Sequence, residues 1–593
     1  MTENTLHSPL AAAVWRAKYR HGGVTGMTES CVEDTWRRVA RALAASEPSD
    51  RAQWEQRFYQ ALEDFRFLPG GRILAGAGTG ERVTPFNCFV MGTIEDSIGG
   101  IFDALREGAL TMQQGGGVGY DFSTLRPAGT RARSTGMIAS GPVSFMRIWD
   151  AMCGTILSTG ARRGAMMATL RCDHPDIEAF IAAKHDAREL RHFNLSVLVT
   201  DAFMRAVRDD ADWLLVFPPP DDGGAASPSP APGSLKARTL WRDIMRANYD
   251  YAEPGVIFID RVRRLDNLGY CERISATNPC GEIPLPPYGA CDLGSINLTR
   301  FVRGPFTAAA AVDFEGIAAT AATATRMLDN VYEISQFPLP QQRAVAQASR
   351  RIGLGITGLA DALIMLGIEY GTPHSLELAA RIMRTICHAA YRASAALARE
   401  KGAFPLFETE PYLAGEFVSA LPQDIRDAIR RDGMRNSHLT AIAPAGTISL
   451  LAGNVSSGLE PVYAADCTRS VRLADDRIES FEVTDYACAL YRGSGATEAL
   501  PPAFVAAADI DPRSHLAMQA ALQPHVDNAI SKTINVPEDL DFEVFCSLYE
   551  EAYALGLKGC TTFRPNPVTG SVLTAHTVAE APSHCCSIER EAD

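Results

Sequence analysis

The apolar residues near the start of the chain recur with the period of an α-helix. Every third or fourth position is apolar over residues 32–43, and the same spacing continues over residues 54–65. The sequence Pro-Ser-Asp at 48–50 separates the two runs and is typical of a turn. We therefore predict a small helical region over residues 1–66.

Beyond residue 66 the pattern changes to an alternation of short and long segments. Short apolar runs, such as 195–199 and 256–259, alternate with long amphipathic stretches. This alternation indicates an α/β fold over residues 67–570. The segment 218–234 is rich in Pro, Gly and Ser and is predicted to be a flexible insertion, and residues 571–593 form a tail without periodicity.

The composition is that of a large globular protein. The chain has 593 residues, of which 46% are hydrophobic and 21% are charged, and its net charge is −14. These values exclude overall disorder, and the acidic balance argues against a broad nucleic-acid-binding surface. We find neither a signal sequence nor an apolar run long enough to span a membrane. Because the 14 cysteines are scattered through such a chain, we expect free thiols and a cytoplasmic location.

A proline-rich segment that begins at Asn278 carries the densest group of reactive side chains. Its prolines exclude a helix or a central strand, so Cys280 is predicted to lie on a stiff loop. In an extended backbone, Asn278, Cys280 and Glu282 would share one face. The spacing alone equally fits a loop with two incidental cysteines. A zinc site through Cys280 and Cys291 is a further alternative, although no C-x-x-C or paired histidine accompanies them.

Two glycine-containing segments are candidates for close backbone contacts. Residues 443–449 form a small-residue turn with two hydroxyls, whose backbone N–H groups would bind phosphate before a helix. A plain turn is the alternative. The glycines within 113–120 permit either close approach to a ligand or a tight crossing of two chain segments.

A series of short motifs follows in a fixed order between Phe67 and Arg564. The motifs occupy residues 87–90, 95–98, 115–119, 133–150, 162–165, 278–282, 291–298, 444–449 and 556–561. In this order they resemble the catalytic subunit of ribonucleotide reductases, in particular the adenosylcobalamin-dependent class II enzymes. The resemblance implies a ten-stranded α/β barrel with a central finger loop, preceded here by the helical N-terminal region.

The resemblance also implies a role for each reactive residue. Cys280 is the radical cysteine at the tip of the finger loop and abstracts the ribose 3′-hydrogen. Glu282 acts as the base on the 3′-hydroxyl, and Asn278 hydrogen-bonds the substrate hydroxyls. Cys88 and Cys291 supply two electrons and become a disulfide. The residue types suit this chemistry, because removal of a 2′-hydroxyl needs a hydrogen-atom acceptor, an acid or base and a separate reductant.

Substrate and effector sites follow from the same resemblance. The residues expected to bind the substrate are Asn87, Ala445, Gly446, Thr447, Ile448 and Ser449. A deoxynucleotide or ATP effector would bind near a dimer interface through two loops at 126–140 and 158–167. The residues expected to bind it are Asp96, Ser97, Arg126, Arg133, Arg162 and Arg163. An N-terminal ATP-binding cone is not apparent in residues 1–66, so we predict no overall activity switch.

The radical source is inferred from the variants of the family. Forms that take the radical from a separate ferritin-like subunit usually carry adjacent tyrosines near the end of the barrel, where this chain reads GLKGCTTFRP. Glycyl-radical forms carry a C-terminal glycine motif that this sequence lacks. Adenosylcobalamin is the remaining source. The alternatives are a large subunit that needs a radical-generating partner and a catalytically silent nucleotide-binding regulator.

The resemblance finally implies partners. We expect a homodimer, a ribonucleotide substrate, with diphosphates favoured, and thioredoxin or glutaredoxin as reductant, with no metal site and no nucleic-acid or membrane partner. Cys585 and Cys586 in the tail would shuttle the electrons. They are adjacent, whereas the tail cysteines of the family are generally separated by at least two residues, and a vicinal disulfide is a strained ring.

Overall fold

The computed structural model covers most of the chain outside the tail. It describes residues 6, 8–22, 28–81, 83–130, 138–158, 162–186, 188–217, 233–472, 478–496, 499–565 and 574–575. Most of the predicted insertion at 218–234 and most of the tail therefore lie outside the described residues.

The N-terminal region is helical, as its apolar period predicts. The helices are α1 (Pro9–Val14), α2 (Val32–Ala44), α3 (Arg51–Leu62) and α4 (Gly71–Gly76). The apolar positions of α2 are buried, with Val39 completely inaccessible. The predicted turn at 48–50 separates α2 from α3. Helix α2 therefore packs through one apolar stripe, as amphipathic helices do.

The remaining helices surround or extend the sheet. They are α5 (Ile98–Gln113), α6 (Pro142–Thr155), α7 (Ile177–Ile181), α8 (Asp201–Asp209), α9 (Ala237–Tyr251), α10 (Ile259–Arg264), α11 (Phe314–Ile334), α12 (Pro340–Ser349), α13 (Leu359–Met365), α14 (Pro373–Lys401), α15 (Thr409–Ala414), α16 (Glu416–Ser419), α17 (Gln423–Asp432), α18 (Gly446–Leu451), α19 (Tyr486–Gly493), α20 (Pro512–Leu522) and α21 (Phe542–Ala554). Among the described residues, no helix is both long enough and apolar enough to cross a membrane.

One large sheet forms the centre of the molecule. Its strands are β1 (Phe67–Pro69), β2 (Cys88–Val90), β3 (Gly117–Asp121), β4 (Met166–Arg171), β5 (Phe193–Val199), β6 (Gly255–Phe258), β7 (Ala290–Asn297), β8 (Ile352–Thr357), β9 (Thr533–Asn535) and β10 (Gly559–Phe563). The strand order is β1-β7-β2-β3-β4-β5-β6-β10-β9, and β8 pairs with β7 on the edge opposite β1, since both strands pair with residues 294–296 of β7. The predictions of an α/β fold and of ten strands are confirmed.

The strand directions divide the sheet into two parallel runs. Strands β2 to β6 are parallel to one another, β7 is parallel to β8, and β9 is parallel to β10. The two runs meet in antiparallel pairs, β7 with β2 and β6 with β10. Two isolated parallel bridges, Leu354 to Thr440 and Ile442 to Ile530, connect β8 through segment 440–442 to the residues just before β9. This segment thus links the two ends of the sheet.

Candidate active site

A finger loop carries the predicted radical cysteine. Its base is a short antiparallel pair, in which Ala276 and Thr277 face Leu285 and Pro284. The loop passes so close to β3 that a Cβ on Gly119 would lie 1.9 Å from the carbonyl oxygen of Thr277. The glycine at 119 is therefore required by a tight crossing of two chain segments, which was one of the two possibilities for the glycine run.

The tip of the finger is a turn and not an extended strand. The N–H of Gly281 donates to the carbonyl of Asn278 at 3.1 Å, and Gly281 has a φ of +84°. The side chain of Asn278 also accepts the N–H of Ile283 at 3.0 Å. The backbone therefore does not place residues 278, 280 and 282 on one face as an extended strand would. Asn278 and Glu282 are fully buried, whereas Cys280 is partly exposed.

Two further thiols lie beside the finger. Cys88 on β2 and Cys291 on β7 are directly opposite each other in the antiparallel register. Residues opposed in this way have Cβ atoms about 4.5–5.5 Å apart, close to the separation in a disulfide. The amide of Asn278 donates to Sγ of Cys88 at 3.2 Å, and Oε1 of Glu282 lies 3.9 Å from the same sulfur. The fold thus brings together four of the five predicted catalytic side chains.

Burial sets the protonation of this group. Burial raises the pKa of Glu282 to about 7, and the hydrogen bond from Asn278 offsets part of the rise. Burial also raises the pKa of both Cys88 and Cys291 well above that of a free thiol. The thiols are therefore neutral at physiological pH, and Glu282 titrates where a general acid or base is most effective. Its Oε2 has no hydrogen-bond partner among the described residues and is available to a ligand.

Apolar side chains enclose the site. A single buried cluster combines residues of the finger, of β2 and β7, and of the segment that links the ends of the sheet. Its members are Cys88, Val90, Ala276, Ile283, Leu285, Cys291, Leu293, Ala441 and Ala443. Because such a cluster excludes water, it would protect a reactive intermediate from side reactions.

The predicted phosphate turn begins where this linking segment ends. Ala445 has a left-handed backbone with φ of +54° and precedes helix α18, which starts at Gly446. Thr447 is fully buried, and its Oγ1 has no hydrogen-bond partner among the described residues. Ser449 donates to the carbonyl of Gly446 at 2.8 Å and contacts Ser457 at 3.1 Å. Ile448 is also buried. The small-residue turn thus precedes a helix, and the binding of phosphate there stays a prediction.

A separate cavity of about 300 Å³ opens on the other wall of the finger. Of the five predicted catalytic residues, Cys280 alone lines it. Most of the remaining wall comes from β5, β6, β10 and the segment before β9, and Pro444 of the phosphate turn borders it. The described lining contains no tyrosine. Cys280 thus lies between the buried side chains of Cys88 and Glu282 on one side and the cavity on the other.

The other predicted binding residues are spread over the neighbouring loops. Asn87 is buried, and its carbonyl accepts the N–H of Gly117 at 2.9 Å. Asp96 pairs with Arg126, whose Nε lies 2.7 Å from Oδ2. Ser97 caps helix α5 by accepting the N–H of Gly100 at 3.0 Å.

Several predicted residues cannot be placed. Arg162 and Arg163 form one strand of a small hairpin with Leu157–Ser158, but their side chains lie outside the described residues. Arg133 and the tail pair Cys585 and Cys586 lie outside the described residues altogether. Within the described part of the chain, no group of three or more potential ligands is arranged to hold a metal ion.

Sequence reasoning missed Asp292, the residue after Cys291. It is fully buried, and neither carboxyl oxygen has a hydrogen-bond partner among the described residues. Burial raises its pKa well above the usual value, because an unpaired carboxylate is costly to bury. The carboxyl group is therefore more stable here in its protonated form. The sequence drew attention to Cys291, its neighbour on β7, and not to Asp292. No pattern in the sequence marks an aspartate inside a strand as buried.

Comparison with known proteins identifies similar chains. The family pattern described as "Ribonucleotide reductase, all-alpha domain" matches residues 5–82, and "Ribonucleotide reductase, barrel domain" matches residues 86–563. A vitamin B12-dependent ribonucleoside-diphosphate reductase of Mycobacterium tuberculosis is 39% identical over 95% of this chain and 80% of its own. The protein of that name from Thermoplasma acidophilum is 37% identical over 88% of this chain and 66% of its own. A vitamin B12-dependent ribonucleotide reductase of Streptomyces clavuligerus is 27% identical over 89% of this chain and 62% of its own.

Proposed function

This chain belongs to the ribonucleotide reductase family, and we propose that it reduces ribonucleoside diphosphates to 2′-deoxyribonucleotides with adenosylcobalamin as cofactor. The observation that carries the proposal is the juxtaposition of Cys88 and Cys291 across β2 and β7, beside Asn278 and Glu282 of the finger that carries Cys280. The names of the relatives that are 37–39% identical support both the diphosphate substrate and the cofactor.

The residues of the site divide the reaction among them. A thiyl radical on Cys280 takes the hydrogen atom from C3′ of the ribose, and Glu282 takes the proton of the 3′-hydroxyl. The 2′-hydroxyl then leaves as water with a proton from Cys88 or Cys291. Those two thiols supply two electrons and close to a disulfide, and Cys280 returns its hydrogen atom to C3′. The sum is one ribonucleotide and two thiols converted to one deoxyribonucleotide, one disulfide and one water.

The substrate is held by polar groups that the protein itself leaves without partners. Oε2 of Glu282 and Oγ1 of Thr447 are both buried and both lack a hydrogen-bond partner among the described residues. Because such atoms are costly to bury, a ligand that bonds to them gains affinity. We assign the ribose to Glu282 and Asn278, and the diphosphate to residues 445–449, through the side chain of Thr447 and the backbone N–H groups at the start of α18, with Asn87 at the edge of the site.

We place the reactive end of the cofactor at the cavity beside Cys280. Adenosylcobalamin, when bound, supplies by homolysis the unpaired electron that Cys280 needs. The cavity reaches Cys280 directly, and Thr561 and Cys560 line it with small side chains. A pathway through tyrosines would need a tyrosine in this wall, and the described lining has none. Tyr553 instead donates to Asp201 at 2.8 Å, and it is not part of the lining.

The decisive experiment is anaerobic turnover of ribonucleoside diphosphates by the purified protein. The assay contains dithiothreitol and a deoxynucleotide effector and is run with and without adenosylcobalamin. Product formed only with the cofactor supports the proposal. Product that requires an added radical-generating subunit, or no product from folded protein under any condition, contradicts it. A parallel assay with triphosphates tests the substrate class.

We further propose that Cys585 and Cys586 pass electrons from thioredoxin or glutaredoxin to the Cys88–Cys291 disulfide. The inner pair is fully enclosed, so a protein reductant cannot reach it directly. Replacing both tail cysteines by serine is expected to reduce thioredoxin-driven turnover by about 100-fold or more, roughly 3 kcal/mol, while dithiothreitol-driven turnover stays within about threefold. Equal thioredoxin-driven rates in the two proteins would exclude the shuttle.

The inner disulfide has its own test. Peptide mass spectrometry after one turnover without reductant is expected to find Cys88 linked to Cys291.

We also propose a homodimer with an effector site at its interface. Ile98 and Phe102 are exposed apolar residues one turn apart on α5, which begins two residues after Asp96, the partner of Arg126. Exposed apolar faces of this kind mark interaction surfaces. Phe102→Glu is expected to halve the mass measured by sedimentation and to weaken binding of a deoxynucleoside triphosphate.

The matched control for this prediction is Leu555→Glu. Leu555 is an exposed apolar residue after α21, where no effector site is proposed. Its replacement should change neither the mass nor the affinity for the effector. A dimer that survives Phe102→Glu at micromolar concentration would place the interface elsewhere.

We assign Arg133, Arg162 and Arg163 to the effector loops on the family resemblance.

Two broader assignments complete the proposal. We divide the chain into a helical region at 1–66, a catalytic barrel at 67–570 and a tail at 571–593. The strand β1 (Phe67–Pro69) supports the first boundary, because it pairs with β7 inside the sheet. We place the protein in the cytoplasm, where a reducing environment keeps its thiols free.

A further inference from the structure

A tyrosine occupies a turn position that normally favours glycine. The N–H of Gly289 donates to the carbonyl of Pro286 at 2.9 Å, and Tyr288, the third residue of this turn, has a φ of +62°. Because Pro287 fixes a negative φ before it, the turn is of type II, which favours glycine or asparagine at the third position. A tyrosine there is strained, and such strain persists only where the surrounding structure holds it.

The phenol of Tyr288 is held by two other segments of the fold. Its ring lies against Gly92, two residues after β2, where a Cβ would lie 2.3 Å from Cζ and 2.4 Å from the hydroxyl oxygen. The hydroxyl donates to Oε2 of Glu107 on α5 at 3.0 Å. Burial and the Glu107 carboxylate raise the pKa of Tyr288 to about 12, so the phenol keeps the proton that it donates. The side chain thus clamps the turn onto the end of β2 and onto α5.

This clamp lies at the start of the pairing that brings the two inner thiols together. The turn leads directly into β7, and the carbonyl of Gly289 accepts the N–H of Val90 at 3.0 Å. The register of β2 with β7 comprises two residue pairs, of which one is Cys88 with Cys291. A slip by one residue would turn one thiol to the other face of the sheet. Contacts outside so short a ladder therefore help to fix its register.

We propose that Tyr288 is a positioning residue for the reductant pair, and that its clamp holds the register in which Cys88 and Cys291 close to a disulfide and reopen. The inference rests on the proposed function, which makes these two thiols the source of the electrons. Each turnover converts the two thiols into a disulfide, and reduction restores them. The strands must therefore keep one register through every cycle, and a side chain fixed at both of its contacts keeps them there.

The first test is the thiol–disulfide equilibrium of the inner pair in Tyr288→Gly. Dithiothreitol passes two electrons and two protons to the Cys88–Cys291 disulfide and becomes its own cyclic disulfide, so the ratio of its two forms sets the equilibrium. Glycine adopts a positive φ without strain, so the turn should still form. Without the clamp the thiols are less well aligned, and peptide mass spectrometry is expected to show a shift of about tenfold or more towards the thiols, which is about 30 mV. A wild-type equilibrium in this variant would overturn the inference.

Two conservative variants separate the hydroxyl from the ring. Tyr288→Phe keeps the ring on Gly92 and loses the hydrogen bond to Glu107, so a shift of about threefold is expected. Glu107→Gln keeps an oxygen that accepts the hydroxyl, and its equilibrium should stay within about twofold of the wild type. A larger shift in Glu107→Gln than in Tyr288→Phe would contradict the role of this hydrogen bond.

Gly92→Ala displaces the phenol from the other side. The three atoms nearest to the added methyl all belong to Tyr288, at 2.3 to 2.6 Å, so the ring must move. We expect a shift of about tenfold towards the thiols in this variant. In the Tyr288→Gly background the same change should add less than about twofold, because the ring is already absent. Shifts that multiply in the double variant would show that Gly92 acts without Tyr288, and the clamp would be wrong.

Phe306→Gly is the matched control. Phe306 is also a half-buried aromatic residue with a positive φ, of +61°, and its ring packs on Tyr491 of α19 at 5.1 Å. It lies between β7 and α11. The equilibrium of the inner pair should be unchanged in this variant. A shift equal to that of Tyr288→Gly would reduce the effect to a general consequence of losing a strained aromatic residue.

Turnover separates this inference from the proposed function. With adenosylcobalamin and dithiothreitol, Tyr288→Gly is expected to lower kcat about fivefold or more and to leave the KM for the diphosphate within about twofold, because the clamp acts on the thiol pair. The equilibrium itself needs neither nucleotide nor cofactor. If the wild type forms the Cys88–Cys291 disulfide but turns over no ribonucleotide, the proposed function fails. If the wild type turns over and Tyr288→Gly matches it in both measurements, only the inference fails.

Discussion

Cys280→Ser is expected to reduce ribonucleotide turnover by about 10⁴-fold or more, which corresponds to at least about 5 kcal/mol of activation free energy. The physical reason is bond strength. An O–H bond is considerably stronger than an S–H bond, so a serine in this position cannot give up its hydrogen atom to form the radical that attacks C3′. The measurement is anaerobic turnover with saturating adenosylcobalamin, effector and dithiothreitol.

The loss must be separated from a loss of structure or binding. Cys280 is only partly buried and lies at the tip of a turn, so exchanging sulfur for oxygen should disturb no packing. Binding of the diphosphate substrate should therefore stay within about twofold of the wild type. Cys271→Ser, a change at an exposed thiol nine residues earlier, serves as the control and should keep full turnover. Turnover by Cys280→Ser above one hundredth of the wild-type rate would remove Cys280 from the mechanism.

Local features of this protein could be predicted from the sequence because they depend on neighbouring residues. The period of apolar positions predicts α2, and the turn at 48–50 is predicted by its own composition. The stiff loop around Cys280 is likewise predicted, because prolines restrict the backbone wherever they stand. The small-residue turn at 445 precedes a helix, as its sequence indicates.

The contacts between distant segments could not be predicted in this way. Cys88 and Cys291 face each other only because β2 and β7 pair in one register, and a shift by one residue would turn one thiol away. The segment 440–442 joins the ends of the sheet through single bridges and carries no strand pattern of its own. The resemblance to a family supplied the roles of the thiols, whereas periodicity and spacing supplied none of these pairings.

The pKa of Glu282 ties the burial of the site to the pH dependence of the reaction. Burial raises that pKa from the usual 4.5 to about 7. A base works in its deprotonated form, so kcat/KM is expected to rise with pH, from about one tenth of its maximum at pH 6 to about nine tenths at pH 8. The pH profile of the wild type should therefore show a single limb with a midpoint near pH 7.

Glu282→Gln is expected to lower kcat/KM by about 10²- to 10⁴-fold and to remove that limb from the pH profile.

The same pKa also makes the stability of the protein depend on pH. Because the pKa of Glu282 is raised in the folded state, protonated Glu282 stabilises the protein fully below the unfolded pKa, and this contribution is lost as the pH rises through about 7. At pH 8 the variant should thus be at least as stable as the wild type towards urea, with an advantage of up to about 3 kcal/mol that vanishes near pH 4. A low kcat/KM in a protein of undiminished stability reflects the loss of substrate binding or chemistry at the site and not a loss of folded protein. Exposed Glu543→Gln is the control and should leave the limb in place. A limb that persists in Glu282→Gln would assign the ionisation near pH 7 to another group and deprive Glu282 of its role as the base.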